Sequence, residues 1–130
     1  LAQYFEHVIG VEGVNSLVKK AIENARDNAI DNCTFIAADL SRADSLDGVI
    51  KLVDQIDAIV LDPPRDGALE IMPWIAKTGA KMVLYISCHP STMVRDVKIL
   101  KSAGYHMSDI GVLDMFPHTA HVESMSLFVR

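Results

Sequence analysis

A cysteine, a pair of prolines and a few carboxylates are the residues of this sequence whose types and spacing could do chemistry. Cys88 lies in YISCHPSTMVRD, residues 85–96, where the apolar run of residues 82–86 stops and a helical pattern begins at once. A thiol at such a junction is either a small hydrophobe closing the end of a core strand or an accessible nucleophile. The stretch DPPR, residues 62–65, puts Asp62 ahead of two prolines. Prolines fix φ and donate no backbone hydrogen bond, so the chain leaves as a stiff, extended wall beside the carboxylate. Such a wall can hold a planar ring while Asp62 accepts from donors near a reacting centre.

Two more acids end apolar runs: Glu12 in VIGVE and Asp39 in CTFIAADL. In a nucleoside-binding α/β fold a carboxylate at the end of the second strand accepts from ribose hydroxyls. One after the third strand can meet the adenine amino group. Glu12 and Asp39 suit those two places if a first strand lies upstream, and each also suits a cap on the helix that follows. Together, in register, they favour a nucleoside cofactor. The loop DMFPHTAHVES raises a metal reading from His118, His121 and Glu123. Pro117 keeps the two histidines off a common helix face and no further ligand is near, so no metal is expected. His7 and His106 read as ordinary surface or packing residues.

These groups need strands to carry them. The apolar pattern predicts strands over residues 8–12, 33–40, 57–62 and 81–87, and two more over 105–113 and 124–129. A helix is predicted after residue 12, with Leu17, Val18, Ala21, Ile22, Ala25 and Ala29 at helical spacing and Asn15 or Ser16 as its cap. A weaker helix is expected over 44–55. Another is expected over 68–77, kinked or shortened by Pro73. The clearest spans 91–103, with Val94, Val97 and Leu100 on one face and Gly104 as its stop. Alternating strands and helices mean a mostly parallel sheet, in which ligands bind beyond the carboxyl ends of the strands. Glu12, Asp39, Asp62 and Cys88 are all expected at such ends.

At 130 residues, half of them apolar, the chain is one domain's worth with material for a real core. Charged residues interrupt every apolar run well short of the roughly 20 residues that cross a bilayer, so no membrane contact is expected. Two cysteines far apart, Cys33 and Cys88, make neither a disulfide framework nor a structural zinc site, and a cytoplasmic setting is expected. A net charge of −5 argues against this segment gripping nucleic acid by itself.

DPPRDGA, YISCHPSTMVRD and LDMFPHTAHVESMSLFVR, in that order and spacing, resemble the RNA uracil-5-methyltransferases that use S-adenosylmethionine. The last segment is most similar to their bacterial 23S ribosomal RNA branch. An Asp-Pro-Pro followed by an aromatic also occurs in amino-group methyltransferases, but here Arg65 takes the aromatic's place. The resemblance covers essentially the whole chain and implies a Rossmann-like methyltransferase core. It implies Cys88 as the nucleophile that attacks carbon 6 of uracil and Glu123 as the base that removes the proton from carbon 5. It also implies Asp62 and Arg65 as catalytic, with Asp62 helping to orient cofactor and uracil, and Glu12 and Asp39 as cofactor-binding acids. The substrate would be a flipped or single-stranded uridine.

Two departures stand out. His89 replaces the asparagine usual after the cysteine, and an imidazole there could help the thiol ionise. The glycine-rich first strand and turn of the family do not occur in these residues. Residues 1–130 are therefore expected to be the C-terminal part of a catalytic domain, inactive alone, with two open sheet edges prone to self-association. RNA would be held mainly by upstream domains, and any iron-sulfur cluster would lie there too. The alternatives are a non-catalytic RNA- or protein-binding module with the same fold, or a tRNA uracil-5-methyltransferase.

Overall fold

The computed structural model describes residues 1–115, 117–119 and 122–130, and Ala43 by its backbone alone. His121, one of the residues of the metal reading, lies outside the described residues. The chain forms two compact units, Leu1–Val49 and Ile50–Arg130.

The first unit holds strands β1 (Val8–Glu12) and β2 (Cys33–Ala37), joined through helix α1 (Asn15–Asp27). The strands are parallel, with Val8 facing Cys33 and Glu12 facing Ala37. Gly10 is where they meet Phe35: a Cβ there would stand 2.7 Å from the ring's Cδ1, so the ring uses the space glycine leaves. Helix α1 buries Val18, and its N-cap position is Val14, not Asn15 or Ser16. The amide of Val14 is met instead by Glu12 Oε1, at 2.9 Å. Both strand-end acids thus reach back to their own loops. The helix expected over 44–55 is reduced to a 3-10 turn, Ala43–Leu46, and one turn of helix α2, Asp47–Ile50.

The second unit is a four-stranded sheet. It comprises β3 (Ala58–Leu61), β4 (Met82–Ser87), β5 (His106–Leu113) and β6 (Glu123–Val129), in the order β3-β4-β6-β5. β3 and β4 are parallel, whereas β6 runs antiparallel to both neighbours and inserts between β4 and β5. Helix α3 (Met72–Thr78), preceded by a 3-10 turn at Leu69–Ile71, packs against α4 (Pro90–Ser102). The helix expected over 68–77 is shortened at its start to Met72–Thr78, and Pro73 does not kink it, because it falls in the first turn of α3 where its lost amide would be unpaired anyway.

Alternation along the strands puts Val83 and Tyr85 of β4 and Phe128 of β6 into the core, with Met72, Ile75, Met93 and Leu100 from the helices. The opposite sheet face is less covered within this unit, since Val60 and Met82 are 41% and 39% exposed. The buried stripe of α4 is Met93, Asp96 and Leu100. Val94, expected on that stripe, is exposed. Among the described residues β1 pairs only with β2 and β3 only with β4, so each sheet ends on a strand bonded along one side.

Candidate active site

In the first unit Glu12 is the last residue of β1, and Asp39 lies two residues beyond β2. Both are exposed. Asp39 Oδ1 accepts from the Ser41 amide at 2.9 Å and from Ser41 Oγ at 2.6 Å. Those bonds favour the ionised form and hold the carboxyl below its ordinary range, with Arg42 adding to the effect. Each acid therefore serves its own turn and has a second oxygen for a donor from outside. A groove of about 700 Å³ in this unit is lined by α1 and the start of β2, including Ile22, Ile30, Cys33 and Phe35, not by these carboxylates.

The second unit brings the other four candidates to the carboxyl ends of β3 and β4. The β4–β6 ladder runs from Met82 opposite Val129 to Ser87 opposite Ser124. The ladder stops there: Cys88 is the first residue beyond β4 and Glu123 the first residue of β6, so both lie next to that last rung. A thiol and a carboxylate from distant parts of the sequence therefore flank the same end of the β4–β6 pair. Cys88 is a free thiol and, like Glu123, half-buried.

The strand ends around Cys88 are tied. Ser124 Oγ donates to the Ser87 carbonyl at 3.2 Å, and the His89 amide donates to Ser87 Oγ at 3.0 Å, closing a turn over Cys88. Helix α4 starts two residues later with Pro90 in its first turn. The His89 ring stands beside Ser91, with Nδ1 3.2 Å from its hydroxyl. On the neighbouring strand, Leu61 pairs with Tyr85, so the exposed Asp62 follows at the level of Ile86. The chain then turns sharply, the Gly67 amide bonding the Pro64 carbonyl at 2.9 Å. His118 is exposed and has a left-handed backbone, φ 69°.

Sequence reasoning passed over Asp96 and Tyr85. Asp96 is fully buried; its Oδ2 accepts from the Tyr85 hydroxyl at 2.7 Å and from the Ala68 amide at 2.6 Å. Arg95 holds Oδ1 through Nε at 2.8 Å. Burial, and then the hydrogen bond to Asp96, push the Tyr85 hydroxyl well above the ordinary tyrosine range. The available signal was spacing: Asp96 falls three residues after Met93 and four before Leu100, where only a partnered acid is tolerated.

The sequence matches the family described as tRNA (Uracil-5-)-methyltransferase over residues 1–130. The chain belongs to that family. Among curated family relatives, the 23S rRNA (uracil(1939)-C(5))-methyltransferase RlmD of Pseudomonas entomophila is 46% identical over 128 residues, 98% of this chain. The protein of the same description from Vibrio campbellii is 43% identical over the full 130 residues. The chain spans 28% and 29% of the length of these two relatives. Its fold matches the SAM-bound crystal structure of magnesium protoporphyrin IX methyltransferase from Synechocystis, with TM-score 0.69, 19% identity, and 99% of this chain and 62% of that chain covered. The α/β methyltransferase core that the resemblance implied is the fold observed, and its C-terminal strand β6 is antiparallel as expected, to both β4 and β5.

Proposed function

We propose that the full-length protein carrying this chain transfers a methyl group from S-adenosylmethionine to carbon 5 of a uridine in 23S ribosomal RNA. The observation that carries the reading is that Cys88 and Glu123 directly adjoin the last β4–β6 rung, Ser87 opposite Ser124, in a chain that belongs to a uracil-5-methyltransferase family. The named relatives favour ribosomal over transfer RNA as substrate.

Carbon 5 of uracil is a poor nucleophile. The Cys88 thiolate attacks carbon 6, and the electrons of the ring double bond move to make an enolate whose carbon 5 reacts with an electrophile. S-adenosylmethionine, when bound, supplies the methyl group as that electrophile. Glu123 then takes the proton from carbon 5, the double bond re-forms, and the sulfur leaves carbon 6 as thiolate. A positioned base of this kind is worth about 10² to 10⁴ in rate. Asp62 accepts from donors of the uracil and cofactor, and Arg65 stands at the same wall. Glu12 and Asp39 hold the ribose and adenine of the cofactor through the carboxylate oxygens their own turns do not use.

The test is covalent trapping. Fluorine at carbon 5 cannot be abstracted as a proton, so 5-fluorouridine RNA incubated with the full-length protein and S-adenosylmethionine should remain bound through Cys88. Cys88→Ser should abolish both the adduct and turnover; turnover surviving that change would end the reading. The isolated 130 residues should bind cofactor weakly and self-associate through the one-sided strands β1 and β3. Calorimetry finding micromolar cofactor binding by a monomer would contradict that part alone.

A further inference from the structure

The loop that carries Arg65 is held by α4 at three successive points. The Thr92 hydroxyl lies between the carbonyls of His89, at 2.8 Å, and Arg65, at 3.1 Å. A terminal nitrogen of Arg95 donates to the Asp66 carbonyl at 2.7 Å while the same guanidinium grips Asp96 Oδ1. Asp96 Oδ2 takes the Ala68 amide and the Tyr85 hydroxyl. Between these anchors Gly67 adopts φ 83°, and a Cβ there would overlap Asp96 Oδ2 and approach Arg95 to 2.9 Å. A fully buried carboxylate with four donors around it is costly unless every bond is kept, so the loop and the helix move as one body.

All three clamping residues lie in the first two turns of α4, the helix entered directly from Cys88. One hydroxyl touches both the residue after the thiol and the residue that bears the guanidinium. We infer that Thr92, Arg95 and Asp96 are positioning residues that set Arg65 and the Asp62 wall relative to Cys88. This inference rests on the reading of Cys88 and Arg65 above. The three side chains need not touch substrate. Their effect is on the rate of the reacting complex, not on the hold on RNA, because a displacement of about 1 Å in a reacting constellation can cost about a hundredfold.

The experiment uses the full-length protein with Asp96→Asn, which keeps shape but loses the charge gripped by Arg95, and Thr92→Val, which removes only the bridging hydroxyl. Active sites are titrated with 5-fluorouridine RNA, so a partly unfolded preparation does not count as a slow one. Turnover per titrated site should fall about tenfold or more in both variants, with the RNA KM nearly unchanged. Hydrogen exchange supplies a readout besides activity: the Ala68 amide should lose protection in Asp96→Asn while the β4 amides keep theirs. Unchanged turnover per site in both variants, or an Ala68 amide equally protected in wild type and Asp96→Asn, would overturn the inference. Cys88→Ser in the same series separates the two claims. If it stays active, the nucleophile reading falls, while the exchange data still decide the clamp.

Discussion

Ser87 and Ser124 form the last rung between β4 and β6, and Cys88 and Glu123 are the residues that immediately adjoin it. Cys88 and Glu123 are 35 positions apart in sequence, yet the antiparallel pairing brings them to the same end of β4 and β6. The roles proposed for them above suit their chemical types, because a thiolate adds to an electron-poor carbon and a carboxylate removes the proton that addition makes labile.

Changing Glu123 to Gln in the full-length protein should uncouple those two steps. The amide cannot take the proton from carbon 5, so methylated adduct should accumulate on ordinary uridine RNA while turnover drops by about 10² to 10⁴. Denaturing gels with radiolabelled RNA would show a protein-linked band that wild type lacks. A variant that turns over slowly without such a band would move the base elsewhere.

Glu12→Gln should weaken S-adenosylmethionine binding about tenfold, since a charge-assisted acceptor for hydroxyl donors becomes a neutral one. Binding of RNA to the same variant should be unaffected. The Val14 amide retains an acceptor in the glutamine carbonyl, so the start of α1 is preserved. Equilibrium dialysis with labelled cofactor would check this, and equal affinity in the variant would remove Glu12 from the cofactor site.

Two glycines separate backbone strain from crowding. Gly79 has φ 70° and nothing within 4 Å of an added Cβ, whereas Gly67 has φ 83° and meets Asp96, Arg95 and Thr92. Gly79→Ala should cost about 1 kcal/mol, the price of the left-handed conformation alone. Gly67→Ala adds overlap with a buried, fully bonded carboxylate and should cost about 3 kcal/mol or more. Urea unfolding midpoints of the two variants would rank them, and equal losses would mean the loop yields freely.

Tyr85 sets an alkaline limit on stability. Its hydroxyl titrates higher in the folded protein than the ordinary value of 10.0, because of burial and the bond to Asp96. The stabilisation is therefore complete below about pH 10 and declines as the unfolded chain ionises above it, by up to about 1.4 kcal/mol per pH unit. Tyr85→Phe should be less stable than wild type near neutrality and should show a shallower decline above pH 10. Parallel curves for the two proteins would show that the hydroxyl does not titrate differently on folding.

Much of this protein was legible in its sequence. The strands of residues 8–12, 33–37, 58–61 and 82–87 are short apolar runs bounded by turn residues, and local pattern suffices to identify such runs. Asp62 and Cys88 stand out by type and context, and Arg65 and Glu123 enter as catalytic residues only through the family resemblance. Local pattern failed at the starts of helices, where the backbone is stabilised by something the pattern does not show. Pro73 reads as an interruption until it is placed in a first turn, and Asn15 reads as a cap although the N-cap position is Val14, whose amide Glu12 takes.

The rest was decided by pairing partners. No one-dimensional pattern says that β6 inserts between β4 and β5, and that insertion brings Glu123 to the end of β4 that Cys88 follows. Asp96 makes the same point from the interior. As a letter in an amphipathic helix it belongs on the wet face, and only the simultaneous arrival of Tyr85, Arg95 and the Ala68 amide makes its burial tolerable. Residue type limits which chemistry is possible. Which groups meet depends on strand register and on satisfying every buried polar atom at once, and those conditions exist only when the chain is folded.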